Sequence, residues 1–376
     1  MAFAYTPGLR VAKATVVRKE RRLPLKGEVS VSMGDRVSAD TVVAKTDLPG
    51  NVRMLNVSKI IGLPPGDIPE LLLKEPGDRI EEREPIARSK GFLGLFKNTA
   101  RSPIEGVFED YNEITGQSVL REPPIPVDVD AYVSGKVVEI LEDEGVVVKT
   151  FGTFVQGIFG IGGETRGELK LVVDGPEEEL TADHLDETCR GKVVVGGCFV
   201  SQDTLHRAVE LGVSAVVVGG FDDKDLKDFL GYELGVAITG HEEKGIILML
   251  TEGFGRMNMA RATFDLLAER EGLLASVNGA TQIRAGVMRP EVVVPLEEER
   301  APAPSERERP ESGAMDVSSR IRVIRAPYFG RLGKVVSLPP ELQELESESK
   351  VRVLKVEFDD GEKATVPRAN VELIEE

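Results

Sequence analysis

All three histidines (His184, His206, His241) and both cysteines (Cys189, Cys198) fall between residues 184 and 241. Neutral imidazole and thiolate are the usual zinc ligands. Their order here, His-x4-Cys-x8-Cys-x7-His, lacks the close pair of a zinc site, and His206 falls inside a helical pattern. The expectation is therefore no metal and no cofactor. Cys198 follows Gly196-Gly197 and precedes a helix whose cap is Ser201. A thiol placed there is either activated by the helix N-terminus or buried as a small apolar side chain. Gly-x-Ser-x-Gly is absent and no Ser/His/Asp order carries a local motif, so no catalytic residue is assigned.

The better candidate is a ligand site at glycine-rich strand ends. Short apolar runs close on Gly196-Gly197 and Gly219-Gly220, and a third runs into Thr251-Glu252-Gly253-Phe254-Gly255-Arg256. In open α/β sheets, ligands bind beyond the carboxyl ends of the strands. The third run is expected to open a helix over Met257–Arg270, whose free N–H groups and dipole attract anions. Asn278, Thr281, Gln282 and Arg284 follow in a polar, glycine-containing run. Together these residues describe a pocket for a small anion or a partner's carboxylate; ordinary turn chemistry is the alternative.

The elements that would position this site read as βαβ units over residues 171–295. Strand-length runs at Lys192–Gly197, Ala215–Gly220, Val236–Thr239 and Ile246–Leu250 alternate with helical patterns at Ser201–Leu211 and Asp222–Leu230, each followed by a glycine. Runs apolar throughout indicate a parallel sheet covered on both faces. Before them, residues 27–170 are β-rich. Gly34-Asp35-Arg36-Val37 and Gly77-Asp78-Arg79-Ile80 mark a weak internal repeat, Gly supplying positive φ and Asp capping the turn. The glycine-dense stretch Gly152–Gly167 reads as tight turns or close backbone approach, and its functional alternative is an anion or ligand cradle; it lacks a P-loop's Lys and Ser/Thr.

Residues 1–26 form a basic arm or first strand, in which Arg10, Lys13, Arg18, Lys19, Arg21, Arg22 and Lys26 stand against Glu20 alone. Its readings are solvated structure or a polyanion-contacting arm. Residues 296–315 are Pro- and charge-rich, with Ala301 and Ala303 the only apolar side chains besides proline between Leu296 and Gly313, the composition of a flexible linker. Residues 316–376 read as a five-strand, all-β unit, Val351–Phe358 being followed by an Asp359-Asp360-Gly361 turn.

Two segments carry a resemblance. The pattern Gly-Asp-x-Val, apolar-Ala, Ser-Pro-x-x-Gly-Val over roughly residues 25–150 resembles the barrel-sandwich hybrid of biotinyl and lipoyl carrier domains and related hammerhead modules. That resemblance implies a cofactor lysine at a hairpin tip, and Gly94-Leu95-Phe96-Lys97-Asn98-Thr99-Ala100 makes Lys97 the matching position, with an ordinary surface lysine as the alternative. Near the C-terminus, Pro327-Tyr328-Phe329-Gly330-x-x-Gly333 resembles the KOW motif of SH3-like barrels in NusG-type elongation factors and ribosomal proteins. There the glycines are expected to permit a tight reversal. The resemblance implies contact with RNA, ribosome or RNA polymerase.

The whole chain carries 47 Lys plus Arg against 64 Asp plus Glu, a formal charge of −17. That excludes a general nucleic-acid coat, whose affinity comes from cations displacing counterions. It leaves a local RNA contact at the arm or at Arg320, Arg322, Arg325, Arg331 and Lys334. No apolar run approaches the roughly 18 residues of a membrane helix, and two cysteines fit a cytoplasmic protein. The expected architecture is multidomain: barrel-sandwich hybrid, α/β domain, linker, SH3-like barrel. The expected function is a non-catalytic adaptor that uses the KOW barrel to contact a protein or ribonucleoprotein assembly. Its rivals are an α/β enzyme or sensor for an anionic small molecule, and a cofactor carrier or redox-complex subunit.

Overall fold

The computed structural model describes residues 9–90, 97–232, 240, 242, 244–282, 288–296, 315, 317–323, 328, 331–339, 342–344, 350–358 and 361–374. The chain is mostly β, 48% strand and 15% helix, in several sheets. Among the described residues, no helix is long and apolar enough to cross a membrane. The strand expected at 236–239 and the linker residues 297–314 lie outside the described residues.

Among the described residues, one sheet of eleven strands joins the N-terminal and middle parts of the chain. Its parallel portion runs Glu164–Leu171, Val193–Val195, Ala215–Phe221, Ile247–Phe254 in spatial order. Strand Ala215–Phe221 is buried at all seven positions, as continuous apolar runs require when helices cover a parallel sheet. Helix Gln202–Leu211 begins at Ser201, whose hydroxyl accepts from Thr204 N, and stops at Gly212 in the left-handed region. Helix Asp223–Leu230 is capped the same way by Asp222 and Gly231. Strand Glu164–Leu171 straddles the 170/171 boundary and pairs antiparallel with Leu274–Asn278 on its other edge. The sheet then continues through Glu291–Pro295 to Gly145–Gln156 of the N-terminal part. The glycine-dense stretch alternates strands, Gly145–Gln156, Phe159–Ile161 and Glu164–Leu171, with short connections that hold Gly157, Gly162 (φ 85°) and Gly163, while Gly152, Gly160 and Gly167 lie close against neighbouring backbone carbonyls, as tight turns and close approach predict.

The expected helix over Met257–Arg270 is shorter than its pattern. It starts at Arg261 and ends at Ala268. Met257 N donates to Cys198 O and Ala260 N donates to the Glu252 carboxylate, so tertiary contacts hold these residues out of the helix.

The basic arm forms a twelve-residue strand, Val11–Arg22, antiparallel to Gly145–Gln156. Six of its seven cations are matched by acids from distant parts of the chain: Lys13 by Glu269, Arg18 by Glu139, Lys19 by Glu291, Arg21 by Glu164 and Asp130, Arg22 by Glu144, and Lys26 by Asp143; the seventh, Arg10, bonds Thr15 and lies over the Phe154 ring. The local excess of positive charge is thus neutralised within the fold, which leaves little of it for a polyanion.

The N-terminal β-rich part contains the same arrangement twice. In the outer module, Gly34 (φ 97°) precedes Asp35, whose carboxylate accepts from Ser32 N, and Gly34 N donates to Val137 O. In the inner module, Gly77 (φ 99°) precedes Asp78, whose carboxylate accepts from Glu75 N, and Gly77 N donates to Phe108 O. Positive φ at both turns is the reason glycine stands there. Strands Val42–Leu48 and Ile125–Asp130 form a hairpin in the outer module, Leu48 facing Ile125. The inner module is inserted at the end of that hairpin. Its own hairpin, Pro85–Arg88 with Thr99–Arg101, occupies the corresponding place. Each module has its own core, Val37, Val43, Val137 and Val148 in one, Ile80, Ile86, Phe108 and Leu120 in the other.

The C-terminal unit has six strands among the described residues, one more than expected. The additional strand is Leu342–Glu344, which pairs with Lys350–Phe358. Its core contains Ile321, Val335, Val356, Phe358 and Val366.

Candidate functional site

The strand-end glycines converge at the carboxyl edge of the parallel strands. Gly219 N donates to Gly197 O at 2.8 Å, and Gly220 is in register with Gly253. What fills the space above them is backbone. A Cβ on Gly219 would overlap the carbonyl of Met257, one on Gly220 that of Gly255, and one on Gly197 those of Glu178 and Gly175. Gly196 lies against Leu180 and Val218. These four glycines therefore permit close approach of the 253–259 and 175–180 segments. Gly253 and Gly255 have positive φ, at 146° and 95°.

Arg256 is not at a helix start. Its guanidinium donates to Glu179 at 2.5 Å and lies over the Phe199 ring, 4.5 Å from the centroid. Cys198 beside it is buried, and that burial pushes its thiol above the ordinary range, opposite to what a nucleophile needs. Glu252 is also engaged. One carboxylate oxygen accepts from Ala260 N at 3.0 Å, and the other pairs with Arg322 of the C-terminal unit, both side chains being about nine-tenths buried.

The polar run expected to complete the pocket sits elsewhere. Thr281 is buried, its hydroxyl accepting from Gly160 N, and Gly279 packs on Ile161 and Ile247. Ile247 opens the strand whose far end carries Gly253, six residues away, or roughly 20 Å at about 3.3 Å per residue. Asn278 donates to Glu164 and accepts from Ala280 N, and Gln282 forms a two-way bridge with Met288. The expected single pocket thus divides into two places, each built by turn and ladder contacts. Arg284 lies outside the described residues.

The histidines and cysteines do not converge. His184 hydrogen-bonds Thr181 and faces Glu178 at 3.3 Å, whereas His206 is exposed beside Phe229. Cys189 is buried and His241 lies outside the described residues. Among the described residues, no three metal-ligating side chains group together. Lys97 is exposed immediately ahead of Asn98, whose side chain donates to Ile61 O. Gly94, Leu95 and Phe96 lie outside the described residues.

In the KOW-like segment, Gly333 sits inside strand Leu332–Ser337, where a Cβ would lie 2.6 Å from Glu357 O. It allows close strand approach rather than a reversal. Tyr328 stacks against Phe358 at 5.2 Å, and Arg331 covers the Phe358 ring at 3.9 Å while pairing with Glu362. Pro327, Phe329 and Gly330 lie outside the described residues. Two of the expected basic-edge residues, Arg322 and Arg331, are thus turned to internal partners. Lys334, a third member of the expected basic edge, is exposed, and with Lys355 and Lys363 it lies on one face of neighbouring strands around Glu357, which pairs with Lys363 at 3.1 Å; Arg325 lies outside the described residues.

A densely charged junction escaped sequence reading. Arg21 bridges Glu164 (2.7 Å) and Asp130 (3.2 Å), and Arg166 also reaches Asp130 (2.9 Å), beside a cleft of about 250 Å³. Tyr132 lies buried beneath with φ 64°, a strained value for a bulky residue. Burial pushes its phenol well above its ordinary range, and Glu291 and Glu164 add to the effect. This junction fastens the outer module to the parallel sheet, which is why its charges are mutually matched.

No protein-family model and no curated protein matches this chain.

Proposed function

We propose that the chain is a non-catalytic adaptor. Its N-terminal modules, of barrel-sandwich type, and its α/β domain form the body, and its C-terminal unit is a KOW-like SH3-type barrel that contacts a ribonucleoprotein assembly. The observation that carries this reading is the exposed trio Lys334, Lys355 and Lys363 around Glu357, which pairs with Lys363 and leaves the face a net positive charge. Such a strip makes a local contact with phosphate while the −17 of the whole chain suppresses general nucleic-acid binding. The rival reading, an anion site at the strand ends, is weakened because Gly197, Gly219 and Gly220 face backbone carbonyls and Arg256 is paired with Glu179. The carrier reading retains one supporting observation, the exposure of Lys97 beside the inner hairpin. An adduct on Lys97 in the intact mass of native protein would replace the adaptor reading.

The test is RNA binding by the full chain as a function of salt, using a single-stranded RNA oligonucleotide. Replacing Lys334, Lys355 and Lys363 together by Glu should weaken binding and flatten the salt slope by about 0.7 for each phosphate that is no longer neutralised. An unchanged affinity and slope would contradict the assignment.

A further inference from the structure

The outer and inner modules match ladder by ladder. In the outer module Arg18 faces Lys149, Lys19 faces Val148, and Glu20 faces Val147. In the inner module Val52 faces Arg121, Arg53 faces Leu120, and Met54 faces Val119. The next ladder agrees: Lys136 faces Lys149 in one, and Val107 faces Arg121 in the other. Each ladder skips one residue at the same place, Val138 in the outer copy and Glu109 in the inner. Even the short contacts correspond, Val29 with Ala44 and Leu72 with Ala87. The inner module is a second copy of the outer one, nested in its hairpin.

The correspondence exposes a difference. Among the described residues, strand Val52–Asn56 ends its sheet and is an edge. Its outward side chains Val52 and Met54 are 45% and 55% exposed. The outer copy carries Arg18 and Glu20 at these positions, and Lys136 where the inner copy has Val107. Charged side chains on an edge are the usual protection against pairing with another strand. The inner edge has Val52 and Met54 in place of those charges, and its one exposed charge, Arg53, stands on the alternate face and pairs with Glu122.

We propose that the Val52–Asn56 edge takes up an extended segment of a partner protein by strand addition. An open row of backbone N–H and C=O groups specifies an extended peptide, because only another strand satisfies them in register. Apolar side chains at alternate positions of that peptide would lie beside Val52 and Met54. The edge suits a peptide better than a second copy of the chain. Five residues span roughly 17 Å and a sheet is roughly 10 Å thick, so edge-to-edge pairing of two copies would bury on the order of 170 Å² per copy, far short of the roughly 1,000 Å² that a stable interface buries. This surface is independent of the C-terminal barrel and gives the adaptor a second contact.

The test selects short peptides from a phage-displayed library on the full-length chain and measures binding of the strongest synthetic peptide. The peptides should share apolar residues at alternate positions. Met54→Lys should weaken binding at least about tenfold, about 1.4 kcal/mol, and N-methylation of alternate peptide amides should abolish it. Ile114→Lys, at an 89%-exposed turn position of the same module, should leave binding unchanged. Backbone amides of residues 52–56 should gain protection from hydrogen exchange when peptide is bound. The proposal is overturned if no peptide is selected, if the selected peptides lack alternation, or if Met54→Lys leaves affinity intact. It is also overturned if sedimentation shows a dimer that Met54→Lys dissociates, since the edge would then serve self-association.

Discussion

Where the outer module places Arg18 and Glu20, its nested copy places Val52 and Met54, on the same strand and in the same register. The residues at the alternate positions differ as well. Lys19 and Arg21 of the outer copy reach Glu291 and Glu164 of the parallel sheet and fasten the module to the body. Their counterparts in the inner copy are Arg53, which pairs only with its own module's Glu122, and Leu55, which packs on its own core. One backbone plan thus serves two purposes. The outer copy is a structural joint with a charged, solvated exterior, and the inner copy projects from it with an apolar edge. Strand register and turn chemistry define the module, whereas a handful of surface positions decide what it attaches to.

The largest effect expected from breaking this comparison is in the inner core. Phe108→Ala should cost about 3–5 kcal/mol. Hydrogen exchange should show the inner strands opening while the outer strands, whose core is separate, stay protected. Next come the two sets of cations. Arg21→Ala removes the partner of two carboxylates at a side chain only 14% exposed, and denaturant unfolding should show a loss of about 1–3 kcal/mol. Arg53→Ala, at a 62%-exposed side chain, should cost no more than about 1 kcal/mol.

Acid should separate the copies as well. The equivalent turns are closed differently: Thr41 accepts from Ser38 N in the outer copy, and Glu84 accepts from Glu81 N in the inner. Lys74 and the Glu81 amide hold Glu84 below its ordinary 4.5, as Asn51 and Arg53 do for Glu122. A depressed carboxylate contributes stability above its unfolded value and loses it as pH falls through the folded value. The inner copy should therefore lose this support as pH drops below 4.5. Asp40 of the outer copy, held low by Ser38, starts from 3.8 and follows later. Amide exchange of residues 81–84 across this range checks the order. The smallest stability effect belongs to Arg18→Val with Glu20→Met, within about 0.5 kcal/mol. That double variant should nevertheless acquire weak affinity for the alternating peptides that bind the inner edge.

The repeat is legible at Gly34-Asp35 and Gly77-Asp78 because turn chemistry is local. The nesting is not, since it rests on Val52–Asn56 pairing with Gln117–Arg121 across the whole module. In the middle of the chain, capping residues and apolar runs give away helices Gln202–Leu211 and Asp223–Leu230. Helix Arg261–Ala268 is shorter than its pattern because contacts from Cys198 and Glu252 override the periodicity. The candidate site suffers from a similar ambiguity. A glycine that admits a ligand and a glycine that admits a neighbouring carbonyl look alike in sequence, and only geometry separates them. The basic arm looks like a polyanion surface in sequence because its matching acids lie far along the chain, Glu164 being 143 residues from Arg21 and Glu291 farther still from Lys19.

The central claim, that the inner module is an independent copy carried by the outer one, is tested by excision. Residues 49–124 are replaced by Asn-Gly, joining Leu48 to Ile125, which already face each other across the hairpin. The shortened chain should fold, keep exchange protection in strands Val11–Arg22, Val42–Leu48 and Gly145–Gln156, and keep its RNA binding while losing peptide binding. Loss of protection in those outer strands would show that the two copies form one interdependent domain, and would contradict the account.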